Sequence, residues 1–190
     1  MRSNRPAVLS VVLCALTVLA LLSRASRQPQ QVAPPQAPQL KKLDALTGRW
    51  TTQGSVLDTP YSHAGNITIT ATCGWSAYNG YLICDHLFSG PNGKSNDLTI
   101  YTYDSAANSY RFYSVDSSGV PHSVPLTVEN NIWTYNGEME KDGKKILIRT
   151  VNDFSKPGIL EWNSKVSADA GAHWTPTSSG TDTKLDAKIP

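Results

Sequence analysis

From residue 49 onward, apolar and polar residues alternate with a period of two, interrupted at regular intervals by Gly, Pro, Asn and Asp. Asn66–Thr72 is the clearest case, setting Ile67, Ile69 and Ala71 against Asn66, Thr68 and Thr70, the pattern of a half-buried strand. The same alternation predicts strands over Arg49–Val56, Tyr81–Phe88, Asp97–Tyr103, Tyr110–Val115, Ile132–Glu140, Lys145–Asn152, Ile159–Ser167 and His173–Thr183. Val120–Val128 is a poorer strand. Pro121 and Pro125 each remove a ladder donor, which predicts an edge or an irregular segment. Ahead of the strands, Leu40, Leu43 and Leu46 recur at helical spacing, and Thr47-Gly48 ends that turn. Short strands with turns between them and almost no helix predict an all-β domain. Sequential hairpins favour one antiparallel up-and-down barrel of about eight to ten strands with a short N-terminal helix, because closure removes exposed edges.

Turn chemistry sharpens this outline. Asp142-Gly143 and Asn79-Gly80 both carry the type I′ signal for a two-residue hairpin. A two-residue turn at Asn79-Gly80 sets Trp75 opposite Cys84 and leaves Cys73 and Cys84 as diagonal neighbours on one face. A Cys73–Cys84 disulfide then requires a bulge or longer turn that shifts the register. The alternative is a pair of buried free thiols.

The first 39 residues have another character. Arg2 and Arg5 precede an uncharged apolar run over Ala7–Leu22, and Ser23 and Ala25 follow it. Residues 1–26 are expected to be a secretory signal peptide, or an uncleaved membrane anchor, since the run is near the length border between the two. Residues 27–39, with Pro29, Pro34, Pro35 and Pro38, are expected to be a Pro/Gln-rich disordered linker, leaving 40–190 as the barrel domain. The expected address is exported, periplasmic or secreted, with membrane attachment only through the N-terminal segment. Such a compartment favours the disulfide. The pI of about 8.4 does not signal a nucleic-acid partner. Four of the 17 basic residues lie in the first 39 residues and all 15 acidic ones after them, so the remainder carries 13 basic and 15 acidic groups, a net charge of −2. Nucleic-acid binders normally show a basic stripe, and none is present.

Two resemblances follow from specific residues. Gly48-Arg49-Trp50 after a short helix resembles the Gly-X-Trp opening of the calycins, the lipocalin and fatty-acid-binding group. The run from Leu40 to Leu185 resembles a bacterial family known as domain of unknown function 1579. The matching pieces are Leu46–Trp50, Cys73-Gly74-Trp75, Asn79–Leu82, Ile100–Asp104, Trp133-Thr134-Tyr135, Ser167–Trp174 and Gly180-Thr181. Gly171-Ala172-His173-Trp174 departs from that family's Gly-Gly-Lys-Thr-Trp-like turn. The resemblance implies a lipocalin-like barrel and an exported context, and it implies no activity. The calycin likeness implies structural roles for Gly48 and Trp50, with a basic side chain from the last strand crossing the tryptophan. Lys184 is the candidate, and Arg111 and Arg149 compete with it. More distantly the chain is similar to the haem-binding nitrobindin barrels, whose proximal histidine lies near the C-terminal strands, which makes His173 the haem candidate here.

Trp75, Tyr101, Tyr103, Phe112, Trp133 and Trp162 are candidates to line an interior ligand cavity, the alternative being a filled core or cross-strand surface pairs. His63, His86, His122 and His173 show no local metal-ligand spacing. Asp85 and His86 are adjacent and point to opposite faces of a strand. Glu138 and Glu140 share a strand face of the kind usually solvated. No nucleophile elbow, phosphate-binding loop or Cys-X-X-Cys is present. The expectation is therefore a non-catalytic barrel without a cofactor that binds a small apolar or amphipathic ligand. A filled, tethered structural barrel and an enzyme using the cavity are the alternatives.

Overall fold

A computed structural model describes residues 36–185. The expectations for the leader and for most of the linker lie outside the described residues. A 3₁₀ turn over Leu40–Leu46 precedes ten strands: β1 (Gly48–Val56), β2 (Gly65–Trp75), β3 (Leu82–Gly90), β4 (Gly93–Asp104), β5 (Ser109–Asp116), β6 (Pro121–Glu129), β7 (Ile132–Lys141), β8 (Lys144–Lys156), β9 (Ile159–Ser167) and β10 (Thr175–Leu185). Each strand pairs antiparallel with the next, and β1 pairs with β10, so the sheet closes into the expected up-and-down barrel.

The two ends of the barrel differ because the inward side chains differ. At the end where β1 begins, Leu82, Tyr101, Tyr110, Leu126, Trp133 and Leu160 are buried and fill the interior. The 3₁₀ turn closes this end with Leu40, Leu43 and Leu46. Polar ties hold it there. Trp50 Nε1 donates to the Leu46 carbonyl at 2.7 Å, Trp75 Nε1 to Asp44 Oδ1 at 2.8 Å, and the Tyr110 hydroxyl to the Gln39 carbonyl at 2.8 Å. Ala37 also packs against this core. The structure thus draws Ala37 and Gln39 into the domain, earlier than the expected boundary at residue 40.

Lys184 lies over the Trp50 ring, its Nζ 5.4 Å from the centroid, while Arg149 stacks on Trp174 at 4.3 Å. Gly48 makes the Lys184 crossing possible. Its φ is +105°, and an added Cβ would stand 2.9 Å from Lys184 Cε.

Turn chemistry succeeded at one hairpin and failed at another. Lys141 and Lys144 flank a two-residue turn in which Asp142 and Gly143 both have positive φ, as type I′ requires. Asn79-Gly80 does not form such a turn. Only Asn79 adopts positive φ, and the ladder ends at Trp75↔Leu82, leaving Ser76–Tyr81 as a six-residue loop. Ser76 N–H donates to the Tyr81 carbonyl and Asn79 N–H to the Ser76 carbonyl. The longer loop moves the register so that Cys73 and Cys84 face each other directly, and they form a disulfide with both residues buried.

β6 is not an edge, because the barrel closes. Yet its prolines still leave a mark. β6 pairs with β5 over Pro121–Leu126 but with β7 only from Leu126↔Tyr135 to Glu129↔Ile132. Pro125, next in line, has no N–H to extend that ladder. A seam between residues 121–125 and 136–141 therefore lacks ladder pairing, and within it Val124 packs over Gly137.

Two stability outcomes follow. The double change Cys73→Ala, Cys84→Ala should destabilise the fold by about 2–3 kcal/mol in urea unfolding, the chain-entropy value for a short loop. Gly48→Ala should cost about 1–3 kcal/mol, because alanine is strained at this φ, and thermal unfolding of that variant measures it.

Candidate functional site

Above the filled end the inward positions become small. Ala71, Ser114, Gly137, Thr150 and Ser164 line the interior there, and side chains this short cannot span the barrel. A cavity of about 850 Å³ results, within the range of small-molecule sites. It reaches the seam, since consecutive residues on both of its sides, Ser123 to Pro125 and Asn136 to Met139, line it.

Aromatic rings form one wall. Tyr101 and Phe112 meet edge-on with centroids 5.2 Å apart, and Phe112 and Tyr135 do so at 5.3 Å. Trp162 adds to the aromatic lining. Its place is set by Gly180 on the neighbouring strand, where a Cβ would come within 2.7 Å of the indole. Two residues further along the same face of β10, Asp182 Oδ1 accepts a hydrogen bond from Trp162 Nε1 at 2.9 Å. Ile67, Ile69, Phe88 and Ile148 supply the aliphatic and remaining aromatic surface.

The polar groups converge from several strands. His86 on β3 and Asp97 on β4 are ladder partners, and Nδ1 lies 2.7 Å from Oδ1, with both side chains mostly buried. Asp182 bonds to Thr52 on β1 as well as to Trp162. Burial raises its pKa, and the hydrogen bonds from Thr52 and Trp162 only partly offset this. Burial also pushes the Tyr101 hydroxyl up to about 12, against the opposing hydrogen bonds of Tyr135 and Thr99. Tyr135 is raised well above the ordinary phenol value, again mainly by burial. Both phenols are therefore neutral donors at physiological pH. Thr150 donates to Ser164 at 3.0 Å on the far wall. At the mouth, Glu138 pairs with Lys145. No lysine or arginine lines the cavity.

The expected aromatic set divides in two. Tyr101, Phe112 and Trp162 line the cavity. Trp75, Tyr103 and Trp133 belong to the filled end. Trp133 is fully buried against Phe154 at 4.7 Å and Tyr101 at 6.3 Å. Trp75 is tied to Asp44, and Tyr103 stacks on Tyr110 at 5.1 Å and bonds to Asn108. His173 is not in the cavity. It stands in the β9–β10 loop with its side chain 91 % exposed, paired with Asp169 at 2.6 Å. The carboxyl of Asp169 is held well below the usual range, chiefly by the His173 backbone N–H, with the Ser167 hydroxyl next. A haem in the barrel interior would be out of its reach. Among the described residues, no group of three or more His, Cys, Asp or Glu side chains is placed to hold a metal ion, and no helix is long and apolar enough to cross a membrane. His86, Asp97 and Asp182 were absent from the expected set.

The fold and site can now be set beside known proteins. A closed ten-stranded barrel with one plugged end defines the class. The chain belongs to the family described as protein of unknown function (DUF1579), which it matches over residues 35–184. No functionally curated protein matches it. Among solved structures, it is similar to Rv2717c from M. tuberculosis, with a TM-score of 0.55 at 12 % identity, covering 79 % of this chain and 99 % of that one. It is also similar to the S-type phycobiliprotein lyase CPES from Guillardia theta, with a TM-score of 0.52 at 12 % identity, covering 78 % and 93 %. At such identity the likeness is one of fold.

The raised pKa of Asp182 has a consequence with a definite sign. The fold is penalised for carrying this carboxylate ionised, so its contribution improves as pH falls through the raised value toward the unfolded one. Asp182→Asn keeps an acceptor for Trp162 and carries no charge. It should unfold at a higher temperature than the parent at about pH 7, with the gap shrinking toward about pH 4, as calorimetric scans at the two pH values would read.

Proposed function

We propose that the protein is a non-catalytic carrier or receptor that holds a small amphipathic molecule inside its barrel. The observation that carries this is the cavity of about 850 Å³, with aromatic and aliphatic walls and a few convergent polar groups. A purely structural barrel has no use for so large an unfilled interior, because close packing there would stabilise it. A catalytic use has the His86–Asp97 pair in its favour. Among the described residues, however, no hydroxyl or thiol hydrogen-bonds to His86 to act as a nucleophile. The solved structures of similar fold include a protein named as a phycobiliprotein lyase, and the reading here stands on the cavity rather than on that name.

We place the domain outside the cytoplasm, released by signal cleavage or held by the uncleaved N-terminal segment. Its buried Cys73–Cys84 disulfide suits an oxidising compartment.

The test is a native and a denatured mass spectrum of the full-length gene product exported from its host and purified gently. The expected result is extra mass in the native spectrum that is lost on denaturation. Ala71→Phe places a ring in the cavity and should abolish that extra mass while leaving thermal unfolding within a few degrees. Equal retention by this variant would move the ligand out of the barrel. In the same spectra, a mature chain starting near residue 26 would establish cleavage, and an intact N-terminus would establish anchoring.

A further inference from the structure

We propose that the cavity selects amphipathic molecules whose polar end is a protonated amine, seated between the Asp182 carboxylate and the aromatic wall of Tyr101, Phe112 and Tyr135. This rests on the reading of the cavity as a ligand site and specifies the ligand's charge.

The first observation is the charge inventory. Asp97 and Asp182 both face the cavity, and no lysine or arginine does. Asp97 is engaged with His86, and Glu138 at the mouth with Lys145. Asp182 takes hydrogen bonds from the neutral donors Trp162 and Thr52, while the histidines on the lining are set against other carboxylates, His86 against Asp97, from where it reaches Asp182 only through space, and His122 against Asp116. A carboxylate can accept about four hydrogen bonds, so Asp182 retains acceptor capacity with no cation to use it. A half-buried carboxylate without a cationic partner carries part of the cost of burying a charge, and an ammonium group from the ligand supplies the missing partner.

The second observation is independent of charge inventory. The rings of Tyr101, Phe112 and Tyr135 form an edge-to-face cluster. Asp182 and these three rings line the same cavity. Aromatic faces attract a desolvated cation through the ring quadrupole. Carboxylate and aromatic wall therefore favour the same charge at one place, and the opposite charge is rejected there. A fatty acid would bring its carboxylate toward Asp97 and Asp182, where the basic side chains on the lining are His86 and His122, each already set against an aspartate. The aliphatic surface of Ile67, Ile69 and Ile148 is left for the ligand's tail.

The experiment compares octylamine, octanoate and octanol by titration calorimetry on the exported, delipidated full-length gene product, and repeats the series on Asp182→Asn. Octylamine should bind at least about tenfold more tightly than either of the others, as a charge-assisted contact implies. Asp182→Asn should erase this preference, with circular dichroism and thermal unfolding of the same sample showing that the variant is folded. Octanoate binding as tightly as octylamine would overturn the proposal and leave the cavity reading intact. A preference for octylamine that survives in Asp182→Asn would overturn the assigned seat. No binding of any of the three would overturn both this proposal and the ligand-carrier reading.

Discussion

The ladder between β1 and β10 is the constraint on which everything else depends. It runs from Arg49↔Leu185 to Val56↔Ser178 and leaves the sheet without a free edge. Closure fixes which side chains point inward and gives the interior two ends. It also brings Lys184 across Trp50 and places Asp182 beside Thr52. One interaction thus joins the structural lock at the plugged end to the buried carboxylate in the chamber above it. Gly48 and Gly180 serve the two halves of that arrangement by yielding space, the first to a lysine stem and the second to an indole.

The division between core and cavity is a matter of side-chain volume at inward positions. Large residues gather where the 3₁₀ turn seals the barrel, and they bury one another there. Further along the same strands, Ala71, Ser114, Gly137 and Ser164 are too small to span the same circumference. The walls are held apart by their own hydrogen bonding, so small side chains leave a void that the backbone does not collapse to fill. Burial of the phenols and of Asp182 follows from that geometry, and so do their shifted proton affinities.

Much of the fold was legible because alternation and turn residues are local signals. The strands around Ile67, Ile69 and Ala71 and the Asp142-Gly143 hairpin needed nothing from the rest of the chain. Asn79-Gly80 misled because its local preference yielded to Trp75 and Leu82, which pair across the strands and leave six residues to make the turn. Alternation also separates inside from outside without giving height along the barrel. Trp133 and Trp75 point inward as the pattern implies, yet they sit at the plugged end. Their nearness to the turns on the side of the 3₁₀ segment was the available sign. His86 and Asp97 escaped notice because they are partners across strands. Counting back from the Gly90↔Gly93 turn would have paired them. Asp182 could have been found in the same way, since a lysine at 184 directed at Trp50 puts 182 on the same face.

The interrupted pairing of β6 and β7 alters what sort of guest the chamber can house. In a barrel fastened all round, a molecule must be no longer than the lumen, or else it must stand out of the mouth. Here Val124 over Gly137 is a side-chain stopper in a wall that has no ladder bonds to break beside it. Turning one valine rotamer aside costs far less than unzipping a strand pair. For the guest proposed above, the chamber would then set a limit on the head it encloses, while a tail could leave sideways where the ladder is interrupted.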